Sequence, residues 1–207
     1  MARAPLLSIE APTLSSSRRA VTREERVDVT AYLKSSVIKE DGQTVTLSEL
    51  CEGVTLCVFL RHWGCAECSL LLHKLSPRFR ELVTLRARVI LIGLGSVEGI
   101  AQFRAKHRFE SDEVLIVTDP TLTIHSEAGL AHGASKVSGP RALVNRAALK
   151  LKGFTNTTID GDPLQQGGAT LLDADQSELW THRNAHFGDI LDPNAMFEAA
   201  LRASALI

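Results

Sequence analysis

The feature that most constrains the fold is a run of apolar residues followed within a few positions by two cysteines. Residues 54–60 read VTLCVFL, a nearly continuous apolar and β-branched run, which is typical of a strand buried on both faces of a mostly parallel sheet. After the loop RHWG, a helix is indicated by apolar residues at spacings of four and three, namely Leu71, Leu75, Phe79, Leu82 and Leu85. The sequence therefore predicts a buried strand, a short loop and a helix. Cys65 lies at the start of this helix, and Cys68 lies one turn further in.

The rest of the chain alternates between strand and helix patterns. Apolar runs predict strands at residues 88–94 and 114–117, and a hairpin is predicted where residues 169–172 and 178–182 flank a short polar stretch. Helical patterns cover residues 46–50, 97–107, 121–130, 142–151 and 195–203. Pro77 lies inside the first long helix, where we expect a kink rather than an end. This alternation predicts an α/β fold with a mixed central sheet flanked by helices.

Chain length and composition fit one domain. The 207 residues are 44 % apolar and 23 % charged, which is enough to bury a full core. We assign residues 27–207 to that domain and residues 1–26 to a flexible tail, whose Ser- and Arg-rich composition is also compatible with organellar targeting. A net charge of −1 gives no basic excess for nucleic-acid binding, and no apolar run is long enough to span a bilayer.

All four cysteines lie close together in the first half of the chain. They occupy positions 51, 57, 65 and 68, within 18 residues. A disulfide scaffold would spread its cysteines along a shorter chain, so this clustering favours a local thiol function in a reducing compartment. The cytoplasm is therefore the expected location.

The position of Cys65 and Cys68 predicts redox chemistry. The first turn of a helix has unpaired N–H groups and the positive end of the helix dipole, which stabilise a thiolate and lower its pKa. We expect Cys65 to attack a peroxide or a disulfide, and Cys68, one turn further on, to resolve the intermediate. The negative charge of Glu67 between them should oppose a very low thiol pKa, so a moderate thiolate is expected.

Two other chemistries use the same cysteine spacing. A zinc site would need two more ligands; His62 and His73 are near, but a second Cys-x-x-Cys pair and a His-x-His pair are both missing from the surrounding sequence. Haem attachment would need a histidine after Cys68, where Ser69 stands. An inert structural pair is a third alternative, but a strand followed by Cys-x-x-Cys and a helix is the specific context for redox function.

Other residues are candidates for contact with a substrate. His62 either hydrogen-bonds the thiolate and moves a proton or simply packs in the loop, and Trp63 follows it. Gly167 and the glycine after it precede a buried strand, which indicates a close backbone approach. We therefore name His62, Trp63, Gln166 and Gly167 as substrate-binding candidates. The sequence leaves the role of residues 131–166 open; one interpretation is that they cover the site and that their turn-rich half moves as a lid.

The remaining two cysteines have simpler interpretations. Cys57 lies in the middle of the predicted strand among apolar neighbours, where a thiol is an inert packing group. Cys51 precedes Gly53 in a turn and could be exposed. It is a conceivable extra redox partner, but packing without function is the favoured interpretation.

Two sequence blocks together resemble a known family. The first is DGQTVTLSEL followed by VTLCVFLRHWGCAEC, and the second is GDPLQQGGATLLDADQSELWTHR. They are similar to the peroxiredoxin-like group of AhpC/TSA-like antioxidant proteins, which includes members resembling prostamide/prostaglandin F synthase. The resemblance covers roughly residues 33–201 and implies a thioredoxin-like fold with thiol oxidoreductase or thiol peroxidase activity.

The resemblance also implies a catalytic scheme. Cys65 and Cys68 match the cysteine pair with which such members reduce a lipid endoperoxide. The expected substrate is a peroxide, an endoperoxide or a disulfide, and the expected electron source is an external thiol such as thioredoxin or glutathione, with no bound cofactor or metal. Many relatives associate through sheet edges or helix faces, so a homodimer is compatible with the family.

The sequence departs from two patterns of related proteins. In the peroxiredoxin pattern Pro-x-x-x-Thr/Ser-x-x-Cys, the hydroxyl position is His62 and the proline position is Val58. Where thioredoxins have a proline before the strand that faces the active site, this chain has Gln166 and two glycines. Two alternative functions on the same scaffold therefore stay open: a non-catalytic redox-sensing or binding module, and a pathway-specific biosynthetic enzyme.

Overall fold

The computed structural model describes residues 29–109 and 114–204. The tail predicted at residues 1–26 lies outside the described residues. The strands are β1 Ser36–Lys39, β2 Thr44–Thr46, β3 Thr55–Phe59, β4 Arg88–Gly93, β5 Leu115–Thr118, β6 Gly168–Leu172 and β7 Glu178–Arg183. The helices are α1 Val29–Lys34, α2 Leu47–Leu50, α3 Ala66–Thr84, α4 Val97–His107, α5 Thr123–Glu127, α6 Ala134–Val137, α7 Pro140–Leu151 and α8 Pro193–Ser204.

The strands form one mixed sheet with β3 near its centre. Their order is β2-β1-β5-β4-β3-β6-β7. Strands β3, β4 and β5 are parallel, whereas the remaining neighbours pair antiparallel. In register, Phe59 at the end of β3 lies between Ile92 and Gly168. The predicted mixed central sheet with flanking helices is confirmed.

Helices cover both faces of this sheet, which explains the continuous apolar run in β3. On one face, Leu56 and Val58 join a core with α3, α4 and α8. On the other face, Cys57 and Phe59 join a core with α1, α2 and α5. Every residue of β3 is buried, and removing the side chains of Leu56, Val58 and Phe59 from water stabilises the fold by about 1.5–3 kcal/mol each.

Most predicted elements are confirmed, and the structure adds α1, β1 and β2, which no pattern above predicts. α3 runs through Pro77 as expected, and α2 begins at a capping box formed by Thr46 and Glu49. α1, for which no pattern is given above, buries Tyr32 and Leu33 in the core on one face of the sheet. In the described part of the chain, no helix is long and apolar enough to cross a membrane.

Candidate functional site

The two cysteines lie where the sequence predicts, at the start of α3. Cys65 is the N-cap residue, with extended backbone, and its Sγ accepts a hydrogen bond from the Cys68 backbone N–H at 3.3 Å. The sulfur thus satisfies one of the N–H groups that a helix leaves unpaired at its first turn. Both cysteines are free thiols and are buried, with 1 % and 5 % of their surface exposed. The site is a dithiol held at a helix N-terminus.

Arg61 is the charged partner of this dithiol. Its Nη1 lies 3.7 Å from Cys65 Sγ and 2.9 Å from Glu67 Oε2. Its Nε donates to the carbonyl of Gln165 at 2.7 Å, and its Nη2 donates to the carbonyl of Pro163. The guanidinium is therefore fixed between the loop before α3 and the segment before β6, with its positive charge facing the thiol.

Sequence reasoning missed the role of Arg61. The signal that could have revealed it is Glu67, since a carboxylate in the first turn of a largely apolar helix needs a cation if it is buried. Glu67 is 3 % exposed and also accepts a hydrogen bond from the backbone N–H of Gly188. Arg61 is the last Lys or Arg before Glu67 in the sequence, and it comes directly after the predicted buried strand.

The environment separates the pKa values of the two thiols. Burial alone would raise the pKa of Cys65, but the hydrogen bond with Cys68 and the charge of Arg61 outweigh burial and lower it. The hydrogen bond to Cys65, together with burial, raises the pKa of Cys68 well above the usual thiol range. The attacking thiolate is thus favoured at Cys65, while Cys68 keeps its proton.

The predicted opposition of Glu67 to a low thiol pKa is present, but Arg61 has the larger effect. Its charge acts to raise the pKa of Cys65, a smaller effect than that of the Arg61 guanidinium. Burial raises the pKa of Glu67 itself, and the Arg61 charge partly counters that rise. Of the two charges, the Arg61 guanidinium therefore has the larger effect on the pKa of the Cys65 thiol.

His62 is buried next to Arg61 and is neutral at pH 7. Burial, assisted by the Arg61 charge, lowers the pKa of His62 to about 4. Its Nδ1 has no hydrogen-bond partner within the described residues, and its carbonyl accepts the Cys65 N–H at 3.1 Å. A neutral imidazole donates a hydrogen bond through one ring nitrogen and accepts one through the other. A role of His62 toward substrate stays a prediction.

Trp63 packs into the body of the protein. The centroid of its ring lies 4.8 Å from that of the Phe103 ring, and its Nε1 donates to the carbonyl of Ser96 at 2.9 Å. A Cβ atom added at Gly93 would lie 2.1 Å from the indole, so the glycine there makes room for the ring. Trp63 also lines a cavity of about 580 Å³ beside Gly64, which keeps its predicted contact with substrate open.

The loop with Gln166 and Gly167 approaches the end of β3 closely. A Cβ atom on Gly167 would lie 2.5 Å from the carbonyl oxygen of Phe59, so the predicted close backbone approach is confirmed. The Gln166 side chain is fully buried, and neither amide atom has a hydrogen-bond partner among the residues that the structure describes. The carbonyl of Gln165 binds Arg61, which links this loop to the dithiol. Substrate contact by either residue stays a prediction.

Residues 155–160, here called the covering segment, lie over the loop that precedes α3. Asn156 accepts a hydrogen bond from the Ala66 N–H at 2.9 Å. The Thr157 N–H donates to the carbonyl of Gly64, and the Trp63 N–H donates to the carbonyl of Asp160, each at 3.0 Å. These contacts place part of the turn-rich half of residues 131–166 over the loop that leads into the dithiol.

Gly64→Ala should expose the Cys65 thiol. A Cβ atom at position 64 would lie 2.0 Å from the carbonyl oxygen of Thr158, so the covering segment must move outward. We expect Cys65 to react several-fold faster with iodoacetamide in the folded variant, measured by peptide mapping. Thr158→Ala, which removes only an exposed side chain, is the matched control. Equal rates in Gly64→Ala and the control would mean that the segment does not limit access.

The other two cysteines lie in the opposite core. Cys57 is fully buried, and hydrogen bonding to Cys51 together with burial raises its pKa. Cys51 is half-buried, and its thiol donates to the carbonyl of Leu47 at 3.3 Å. Within residues 29–109 and 114–204, no group of three or more His, Cys, Asp or Glu residues is arranged to hold a metal ion.

The sequence matches one protein family over more than half of its length. Residues 71–186 match the family described as AhpC/TSA antioxidant enzyme, and the chain belongs to this family. The matched segment begins after Cys68, so the assignment of the cysteine pair rests on the geometry above. No curated protein matches the chain significantly.

Solved structures show the same peroxiredoxin and thioredoxin-like fold. Peroxidoxin BcpB from Mycobacterium tuberculosis has a TM-score of 0.56 at 16 % identity, covering 84 % of this chain and 92 % of that one. A thiol peroxidase from Chromobacterium violaceum has a TM-score of 0.57 at 17 % identity, covering 81 % and 82 %. A secreted Mycobacterium tuberculosis disulfide oxidoreductase has a TM-score of 0.52 at 10 % identity, covering 83 % and 97 %.

Proposed function

We propose that this protein is a thiol-dependent oxidoreductase that reduces a peroxide, an endoperoxide or a disulfide through Cys65 and Cys68. The observation that supports this most strongly is the asymmetry of the pair. The Arg61 guanidinium lies 3.7 Å from Cys65 Sγ, and the pKa of Cys65 is lowered while that of Cys68 is raised. Cys65 is thus the thiol favoured as the attacking thiolate, and Cys68 stays protonated until it resolves the intermediate.

The cycle balances without a bound cofactor. With a hydroperoxide, the Cys65 thiolate attacks the terminal oxygen and the O–O bond breaks. Cys65 becomes a sulfenic acid, and the leaving alkoxide takes up the proton that the thiol released to solvent on ionisation and departs as the alcohol. Cys68 then attacks that sulfur, water leaves, and a Cys65–Cys68 disulfide forms. Two external thiol groups, from one reduced thioredoxin or from two molecules of glutathione, return the disulfide to the dithiol and are themselves oxidised to a disulfide.

Arg61 would serve the attack in two ways. It stabilises the thiolate before reaction, and its N–H groups can donate to a developing negative charge on the leaving oxygen. The peroxiredoxin hydroxyl three residues before the reactive cysteine is replaced by His62, a neutral group at pH 7. A cytoplasmic location, where thioredoxin and glutathione keep thiols reduced, suits this cycle.

A redox sensor is the second candidate function, and the burial of Cys65 favours it. Only 1 % of the surface of Cys65 is exposed, and we expect this burial to slow its reaction with large oxidants. A sensor would be oxidised once and reduced slowly, whereas an enzyme sustains turnover. Steady-state oxidation of NADPH through thioredoxin reductase and thioredoxin, in the presence of a hydroperoxide, distinguishes the two.

Cys68→Ser should trap the intermediate of this cycle. Without the resolving thiol, Cys65 keeps its sulfenic acid or its mixed disulfide with the reductant. Intact-mass measurement after brief peroxide treatment should therefore show one oxygen or one reductant adduct, mapped to Cys65. The same treatment of Cys57→Ser should give the internal disulfide of the unmodified protein. A Cys68→Ser protein that forms no adduct at Cys65 would show that Cys68 does not resolve.

A further inference from the structure

The outward face of α7 is an apolar strip that no described element covers. In the part of the chain that the structure describes, the three most exposed large hydrophobic side chains are Leu143, Val144 and Leu151, at 69 %, 67 % and 90 %. At 100° per residue these three positions share one face of the helix. The opposite face, with Ala142 and Leu149, packs against the first turns of α3 and against Phe187.

Basic residues border this strip on both sides. Residues 134–154 contain five basic and no acidic residues, although the whole chain has a net charge of −1. On α7 and just after it, Arg141 and Lys152 lie along one edge of the apolar strip, and Lys150 lies along the other, by helical spacing. Arg146 is on that second edge too, but its guanidinium donates to the carbonyl of Val137 at 2.7 Å and lies over the Phe187 ring. Long basic side chains beside an apolar face are the arrangement of helices that lie in a membrane interface.

We propose that α7 docks the protein on a membrane surface that contains anionic lipids. Leu143, Val144 and Leu151 would enter the boundary between headgroups and acyl chains, and the flanking basic residues would pair with anionic headgroups. A helix of 12 residues is about 18 Å long, well short of the ~30 Å hydrocarbon layer, so it lies along the surface.

This surface is continuous with the candidate site. Leu149 packs in one cluster with Ala66 and Leu70 of α3, and the covering segment begins shortly after α7. Docking would therefore place the site at the membrane interface, where hydroperoxides of membrane lipids are available. Vesicle binding requires neither cysteine, so this inference is tested independently of the proposed function.

The test is co-sedimentation of the full chain with phosphatidylcholine vesicles, with and without phosphatidylserine. We expect binding to the anionic vesicles that weakens with added salt and is much weaker on neutral vesicles. The triple variant Leu143→Ser/Val144→Ser/Leu151→Ser should lose binding, and Lys150→Glu/Lys152→Glu should lower it about tenfold or more. All these side chains are exposed, so circular dichroism should show folded variants.

Two matched controls distinguish binding through the α7 surface from a general effect of surface charge or surface hydrophobicity on vesicle binding. Lys34→Glu changes an exposed charge on α1, which packs on the other face of the sheet, and Leu179→Ser removes an exposed apolar side chain on β7. Both should bind as the unmodified protein does. The proposal is overturned by absence of binding to anionic vesicles, or by binding that the α7 variants retain. It is also overturned if the strip instead mediates dimerisation that the triple variant abolishes while vesicle binding is absent.

Discussion

Cys65→Ser should lower peroxide-dependent turnover by on the order of 10³-fold or more. The serine hydroxyl keeps the shape of the side chain but is not ionised near neutral pH, so the nucleophile is lost. The Arg61 guanidinium that lies 3.7 Å from the sulfur would then face a neutral group. The measurement is the steady-state rate of hydroperoxide reduction coupled to thioredoxin and NADPH.

The matched control for this variant is Cys51→Ser. Cys51 is the more exposed of the two cysteines outside the site, and its thiol contacts the carbonyl of Leu47 rather than any residue of the dithiol. We expect Cys51→Ser to keep turnover within about twofold of the unmodified protein, because this half-buried position is remote from the chemistry. If turnover survives in Cys65→Ser and falls in Cys51→Ser, the reactive thiol belongs to the pair Cys51 and Cys57, and the proposed mechanism is wrong.

Arg61→Met should destabilise the folded protein by about 3–5 kcal/mol, because it removes one partner of a buried ion pair. The pair joins Arg61 Nη1 to Glu67 Oε2 at 2.9 Å, with 5 % and 3 % of the two side chains exposed. Methionine retains much of the volume but leaves the Glu67 carboxylate buried without its cation. The free energy of unfolding in urea measures the loss.

A double-mutant cycle separates the ion pair from packing. In Arg61→Met/Glu67→Leu no buried charge is left unpaired, so the double variant should recover most of the stability lost in Arg61→Met. If the two single losses simply add, the pair contributes no coupling, and Arg61 acts through its hydrogen bonds to the carbonyls of Pro163 and Gln165.

The loss in Arg61→Met should also depend on pH. Burial already raises the pKa of Glu67 in the folded protein, and loss of the guanidinium raises it further. A group whose folded pKa is raised stabilises the fold below its unfolded pKa, and that stabilisation is lost as pH rises through the folded pKa. The deficit of Arg61→Met should therefore shrink as pH falls into the ordinary carboxyl range, and a deficit independent of pH would exclude Glu67 as its cause.

Local patterns in the sequence were sufficient to predict the scaffold of the site. The apolar run of β3, the helical period of α3 and the bounds of α4 at Val97–His107 agree with the structure. These elements are long or fully buried, so their hydrophobic period is strong. The cysteines directly precede the apolar repeat of α3 and follow the short loop after β3. The sequence therefore predicts a helix that begins near Cys65, which is its N-cap residue.

Contacts between distant parts of the chain could not be predicted in the same way. Arg61 binds carbonyls of Pro163 and Gln165, about a hundred residues later, and no local pattern encodes that contact. The covering segment reads only as a turn-rich loop, and its place over Gly64 depends on the path of α7. The elements α1, β1 and β2 are too short for periodicity to identify, and their form is decided by packing against the sheet.

The mass of the protein after brief treatment with hydrogen peroxide, followed by peptide mapping, tests whether Cys65 and Cys68 form a cycling redox site. We expect a loss of two hydrogens located at Cys65 and Cys68, and full recovery of the dithiol when thioredoxin, thioredoxin reductase and NADPH are added. A disulfide located at Cys51 and Cys57, or oxidation of Cys65 to a sulfinic acid with no disulfide, would contradict the proposed mechanism.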